Sequence, residues 1–177
     1  MPSNIVLIGP MGSGKSSVGA ALARRLSRPH VDTDHFFVAR HGPIPRYFAT
    51  YGEQAFRAEE ERIVAELLDA PRPSVISLGG GSVTSAATRS LLTEHFVVML
   101  DVTAAQAELR IGDAATRPVL TEGTDDPPIE RWKRIYAERE PLYRQLADLV
   151  VSAEEASIED RVDTIVEAMR KGRAEQV

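Results

Sequence analysis

The eight residues Gly9-Pro10-Met11-Gly12-Ser13-Gly14-Lys15-Ser16 constrain this chain more than any other stretch. They fit Gly-x-x-x-x-Gly-Lys-Ser/Thr. They also stand between the apolar run Ile5-Val6-Leu7-Ile8 and the helix-like Ser17-Val18-Gly19-Ala20-Ala21-Leu22-Ala23, the strand–loop–helix setting that a phosphate-binding loop requires. Glycines at 9, 12 and 14 let the backbone turn its N–H groups inward around a β-phosphate, and the following helix adds the positive end of its dipole. Lys15 is expected to reach the β- and γ-phosphates, and Ser16 to offer its hydroxyl to Mg2+. The motif commits the chain to a nucleoside triphosphate, ATP.

Further apolar runs at 30–32, 74–78, 96–101 and 148–151 join the first, at 4–8, with helix-period segments between them. Parallel neighbours need helical crossovers, so this alternation predicts an α/β fold with a five-stranded parallel sheet between helical layers. The 177 residues hold no repeat or linker that would divide them, and residues 1–177 read as one domain. A formal charge of -5 argues against a nucleic-acid partner. With no cysteine, no signal-like segment and no run long enough to cross a bilayer, the expectation is a cytoplasmic protein away from membranes.

Ligands of such sheets gather at the carboxyl ends of the strands. There the second run ends in Val31-Asp32-Thr33-Asp34, whose two carboxylates in an extended segment would project to one side. Beside a phosphate loop they suit a metal and an acceptor hydroxyl, although Asp34 could instead cap the next helix. The third run ends in Gly79-Gly80-Gly81 rather than a metal-binding aspartate, which leaves backbone N–H groups open to a ligand. The metal role then falls to Asp32 or to Asp101, and Asp32 is favoured because Asp101-Val102-Thr103 reads as a turn or helix cap.

Pro45 suits the first position of a helix, and a longer helix is expected from Tyr51, with Phe56, Ile63, Val64, Leu67 and Leu68 as its buried face. Arg57 beside that face reads, on spacing alone, as a surface partner of Glu60 and Glu61. Glycine, small residues and charges from Ile111 to Asp126 suggest a flexible lid, with Arg117 held extended before Pro118 and turned inward on closure. Periodicity leaves Arg139 facing either solvent or a site. Trp132 reads as packing, and His30, His35, His41 and His95 as structural or surface residues.

Taken in order, the phosphate loop, Asp32-Thr33-Asp34, Phe48 with Gly52-Glu53 and Phe56-Arg57, the triglycine, Arg117-Pro118 and Arg139-x-Pro-Leu-Tyr143 resemble the shikimate kinases over nearly the whole chain. The resemblance implies a nucleoside-monophosphate-kinase-like three-layer sandwich with a lid at about 111–126 and a substrate-binding helical region at about 33–62. It implies transfer of the γ-phosphoryl of MgATP to the 3-hydroxyl of shikimate by a monomer. Asp34, Arg57, Gly79, Gly80, Gly81 and Arg139 would hold shikimate, the two arginines gripping its carboxylate, which overrides the surface reading of Arg57. Gly12, Ser13, Gly14, Lys15, Ser16 and Ser17 would surround the nucleotide phosphates, with Arg110 near the adenine and Arg117 on the phosphates. Asp34, Lys15 and Arg117 would be catalytic, and Ser16 and Asp32 would serve Mg2+. Phe37 and Val38 depart from the family pattern of an aliphatic followed by a glutamate. Competing expectations are a gluconate- or nucleotide-kinase-like enzyme and a catalytically silent nucleotide-binding regulator.

Overall fold

The computed structural model describes residues 4–111, 120, 126–152 and 157–174. The five apolar runs become β1 (Ile5–Ile8), β2 (His30–Asp32), β3 (Val75–Ser77), β4 (Phe96–Leu100) and β5 (Leu149–Val151). They form one sheet in the order β2-β3-β1-β4-β5, parallel at every pairing. Side chains alternate across the sheet, so Val6, Ile8, Ile76 and Met99 enter one core while Ile5, Leu7, Val75 and Val98 enter the other. Burial on both faces explains why the inner strands read as continuous apolar runs.

Helices α1 (Lys15–Leu26), α2 (Thr33–His41), α3 (Ile44–Leu68), α4 (Ala86–Leu92), α5 (Ala104–Ile111), α6 (Pro128–Leu146) and α7 (Ile158–Ala174) surround the sheet. The N-cap of α1 is Gly14, with φ 89°, so no capping side chain competes with an anion at that helix start. The two helical segments expected at Pro45 and from Tyr51 are joined in α3, which starts at Ile44 with Pro45 in its second position. Gly52, at φ 81° and ψ 171°, breaks it. Phe48 before the break and Phe56 after it still pack together, with ring centroids 4.7 Å apart.

Capping side chains fix where the helices begin. Asp32, not Asp34, caps α2: its extended carboxylate accepts from the N–H groups of Asp34 and His35, and Asp34 lies in the first helical turn. The two carboxylates therefore reach the site from a strand end and a helix start, not from one extended segment. At α5 the cap expected in Asp101-Val102-Thr103 is Thr103, in a reciprocal capping box with Gln106, while Asp101 accepts from the Val102 N–H at 2.8 Å. Helix α7 runs through Ala174, with Lys171 paired to Glu167 at 2.8 Å. Of the expected lid, Ile111 closes α5 and Leu120 is buried with Val102, Ala107 and Trp132. Arg117 and its neighbours lie outside the described residues.

Candidate active site

The sheet order sets β1 beside β3, so the phosphate loop and the triglycine stand side by side. A Cβ added to Gly80 would lie 3.5 Å from the Gly9 carbonyl oxygen and 3.6 Å from the Met11 nitrogen. Both loops border one cavity of about 650 Å3. Gly12, Gly14, Lys15, Ser16 and Ser17 line its nucleotide side, with Arg110 at the margin. Ser13 is fully buried beneath the loop. The Lys15 ammonium donates to the Gly9 and Pro10 carbonyls, each at 2.8 Å, so it is held at the loop where phosphate oxygens would replace those acceptors.

Ser16 donates its hydroxyl to the Asp32 carboxylate, which joins the expected metal ligands into one oxygen cluster at the cavity wall. A hydroxyl and a carboxylate suit Mg2+, a hard cation that keeps most of its water and takes one or two protein oxygens beside substrate phosphates. Asp101 is committed elsewhere: it accepts from the Tyr136 hydroxyl at 2.7 Å and faces Arg144 at 3.5 Å.

On the acceptor side, Asp34, Arg57, the triglycine and Arg139 line the same cavity. Arg57 does pair with Glu60, at 2.8 Å, but Glu60 is buried rather than superficial. Glu61 instead accepts from the Ser85 hydroxyl at 2.6 Å. The Arg57 guanidinium lies directly over Gly81, where an added Cβ would fall 2.1 Å from Nη1. Only glycine leaves room for that arginine. Burial, then the Glu60 and Asp32 charges, push the Asp34 carboxyl up to about 6 against the pull of Lys15 and Arg57. A carboxylate with that pKa accepts a proton more readily than an ordinary one.

Glu60 escaped the reading by residue type. With Phe56, Ile63, Val64 and Leu67 it falls on one helical stripe, and that period could have marked it as buried. Tyr143 is likewise buried, and its hydroxyl donates to the Gly80 carbonyl at 2.5 Å, bracing the triglycine from α6. Burial pushes that phenol up to about 12, so it stays a donor. His35, read as structural or surface, borders the cavity. His30 meets the Ser77 hydroxyl at 2.9 Å and His41 meets Glu59 at 2.7 Å, both in structural roles.

The family model described as shikimate kinase matches residues 11–170. The chain is 41% identical to a shikimate kinase of Thermobifida fusca over 165 residues, 93% of each chain. It is 39% identical to one of Rhodococcus jostii over 150 residues, 84% of this chain and 87% of the other. Among solved structures, shikimate kinase from Acinetobacter baumannii in complex with shikimate superposes with a TM-score of 0.89 at 31% identity, covering 97% of this chain and 94% of that one.

Proposed function

The chain belongs to the shikimate kinase family, and from that premise we propose how its own residues divide the reaction. The enzyme transfers the γ-phosphoryl of MgATP to the 3-hydroxyl of shikimate, giving shikimate 3-phosphate and ADP. Such transfer is chiefly a matter of positioning and charge stabilisation. Arg57 and Arg139 grip the acceptor carboxylate while Glu60 holds Arg57 and Tyr143 holds the triglycine. Asp34 orients the 3-hydroxyl and takes its proton as the new oxygen–phosphorus bond forms and the bond to the ADP oxygen breaks. The N–H groups of Gly12 and of Gly14 to Ser17 bind the phosphates, Ser13 shapes the loop beneath them by donating its N–H to the Pro10 carbonyl at 3.3 Å, and Lys15 and Arg117 neutralise charge on the transferred group. Arg110 lies on the base side. Ser16 and, behind it, Asp32 would hold Mg2+, which when bound would supply further charge neutralisation.

The observation that carries this reading is one cavity with Lys15, Ser16 and Asp32 on one side and Asp34, Arg57 and Arg139 on the other. The reading includes a single kinase domain with residues 111–126 as a lid and 33–62 as the acceptor-binding region. It also includes a monomer working in the cytoplasm. Among the described residues no helix is long and apolar enough to cross a membrane.

The test is ADP release by the purified chain with MgATP and shikimate, beside quinate, gluconate and AMP. Turnover clearly highest with shikimate is expected. Turnover with another acceptor alone would discard the carboxylate grip while keeping the phosphate loop, and nucleotide binding without any turnover would favour a silent regulator.

A further inference from the structure

A loop that turns its N–H groups onto an anion turns its carbonyls away from it, and those carbonyls need donors of their own. Here three consecutive carbonyls are met by side chains from three helices. The Trp132 indole N–H, from α6, donates to the Met11 carbonyl at 2.9 Å. Arg110 Nη1, from α5, donates to the Gly12 carbonyl at 3.1 Å. Arg161 Nη1, from α7, donates to the Ser13 carbonyl at 2.9 Å. Arg110 also borders the cavity, so it can touch the nucleotide directly. Trp132 and Arg161 do not border it; they are 2% and 4% exposed.

We infer that Arg161 and Trp132 are positioning residues for the nucleotide, acting through the carbonyls of Ser13 and Met11 on the loop that binds its phosphates. The inference rests on the ATP-site reading above. Arg161 is well placed for this. It stands in the first turn of α7, whose start is fixed by Ser157 accepting from the Asp160 N–H at 3.0 Å. The neighbouring Val162, Ile165 and Val166 lock α7 into the core shared with Val18 and Leu22 of α1. A Cβ on Gly14 would lie 3.9 Å from Nη1 of both Arg110 and Arg161, so the two guanidiniums flank the loop where it enters α1. The Arg161 bond, charge-assisted, fixes the Ser13–Gly14 peptide plane, and the Trp132 bond fixes the Met11–Gly12 plane. The loop is thereby set before nucleotide arrives, which lowers the ordering cost of binding.

The experiment compares the wild-type chain with Arg161→Met, Arg161→Lys and Trp132→Phe by calorimetric titration of MgADP, shikimate KM and thermal melting. Arg161→Met keeps the stem and loses the donor; it should weaken MgADP about tenfold while shikimate KM moves by less than about twofold. Arg161→Lys restores a donor and should recover most of that loss. Trp132→Phe keeps a ring and should show the same nucleotide-selective loss, about threefold for a neutral donor. The chain has one tryptophan, so MgADP should change Trp132 emission in the wild type and change it less in Arg161→Met. Equal MgADP affinity in wild type and Arg161→Met overturns the inference alone. Parallel loss of both substrates with a lowered melting temperature, unrelieved by lysine, marks a merely structural residue and overturns it too. Failure of the wild type to bind MgADP would sink the ATP-site reading and the inference together.

Discussion

Glu60 and Asp34 bring their carboxylates to one point above Gly79 from two different helices. A Cβ on Gly79 would lie 2.7 Å from Glu60 Oε1 and 2.8 Å from Asp34 Oδ1. Glu60 turns its other oxygen to Arg57 at 2.8 Å. One buried carboxylate thus holds Arg57 and also raises the proton affinity of Asp34.

On the proposed role of Asp34 as base, Asp34→Asn should leave MgADP binding intact and lower kcat by about 10^2- to 10^4-fold. Stability should move the other way. With the folded carboxyl raised from 3.8 to about 6, the native state keeps a proton that the unfolded chain has released between those values. Stability is therefore full below the unfolded pKa and is lost as pH rises through the folded one. The cost is at most about 3 kcal/mol, less for a partly exposed group. Denaturant melts should find the variant more stable than wild type at about pH 7.5 and little different at about pH 4. Turnover near the wild-type rate would remove Asp34 from the chemistry.

The same carboxyl sets the acid limb of the rate profile. For wild type, kcat/KM should fall as pH drops through about 6, where Asp34 takes up its proton. Glu60→Gln removes a neighbouring charge that raises Asp34, so the limb should move to lower pH. An unmoved limb would mean that the Glu60 charge does not reach the base.

Arg57→Ala should raise shikimate KM about a hundredfold and ATP KM by no more than about threefold, since it removes one charged grip from the acceptor alone. It also strands Glu60, which is 6% exposed, and should cost about 3 kcal/mol of stability. Glu60→Gln in the same chain should return much of the stability and none of the affinity. Equal rises in both KM values would make Arg57 a structural residue.

What could be read from the sequence follows from how local each signal is. The phosphate loop and the strands were legible because a short motif and short apolar runs encode them, and each strand lies within a residue or two of its run. Arg57 was not legible on spacing, because i+3 pairing with Glu60 looks the same on a surface as over a cavity. Only the resemblance to a family carried Arg57 and Arg139 to the acceptor. Trp132 and Arg161 had no local pattern at all: their carbonyl partners lie 121 and 148 residues away in sequence. Hydrogen bonds of that range arise from tertiary packing, which residue type and period do not encode.

Asp32 does two jobs, and a pair of substitutions separates them. Its carboxylate caps α2 through the Asp34 and His35 N–H groups and also receives the Ser16 hydroxyl beside the phosphate loop. Asparagine is as good an N-cap as aspartate, whereas alanine loses about 1 kcal/mol at such a position. Asp32→Asn should therefore melt close to wild type yet need more Mg2+ for half-maximal rate, because the anionic partner of the metal shell is gone. Asp32→Ala should show that higher Mg2+ requirement together with a lowered melting temperature. The measurement is initial rate against Mg2+ concentration at fixed ATP, with melts alongside. An unchanged Mg2+ requirement in Asp32→Asn, at wild-type stability, would confine Asp32 to capping and return the metal to Ser16 and the phosphates alone.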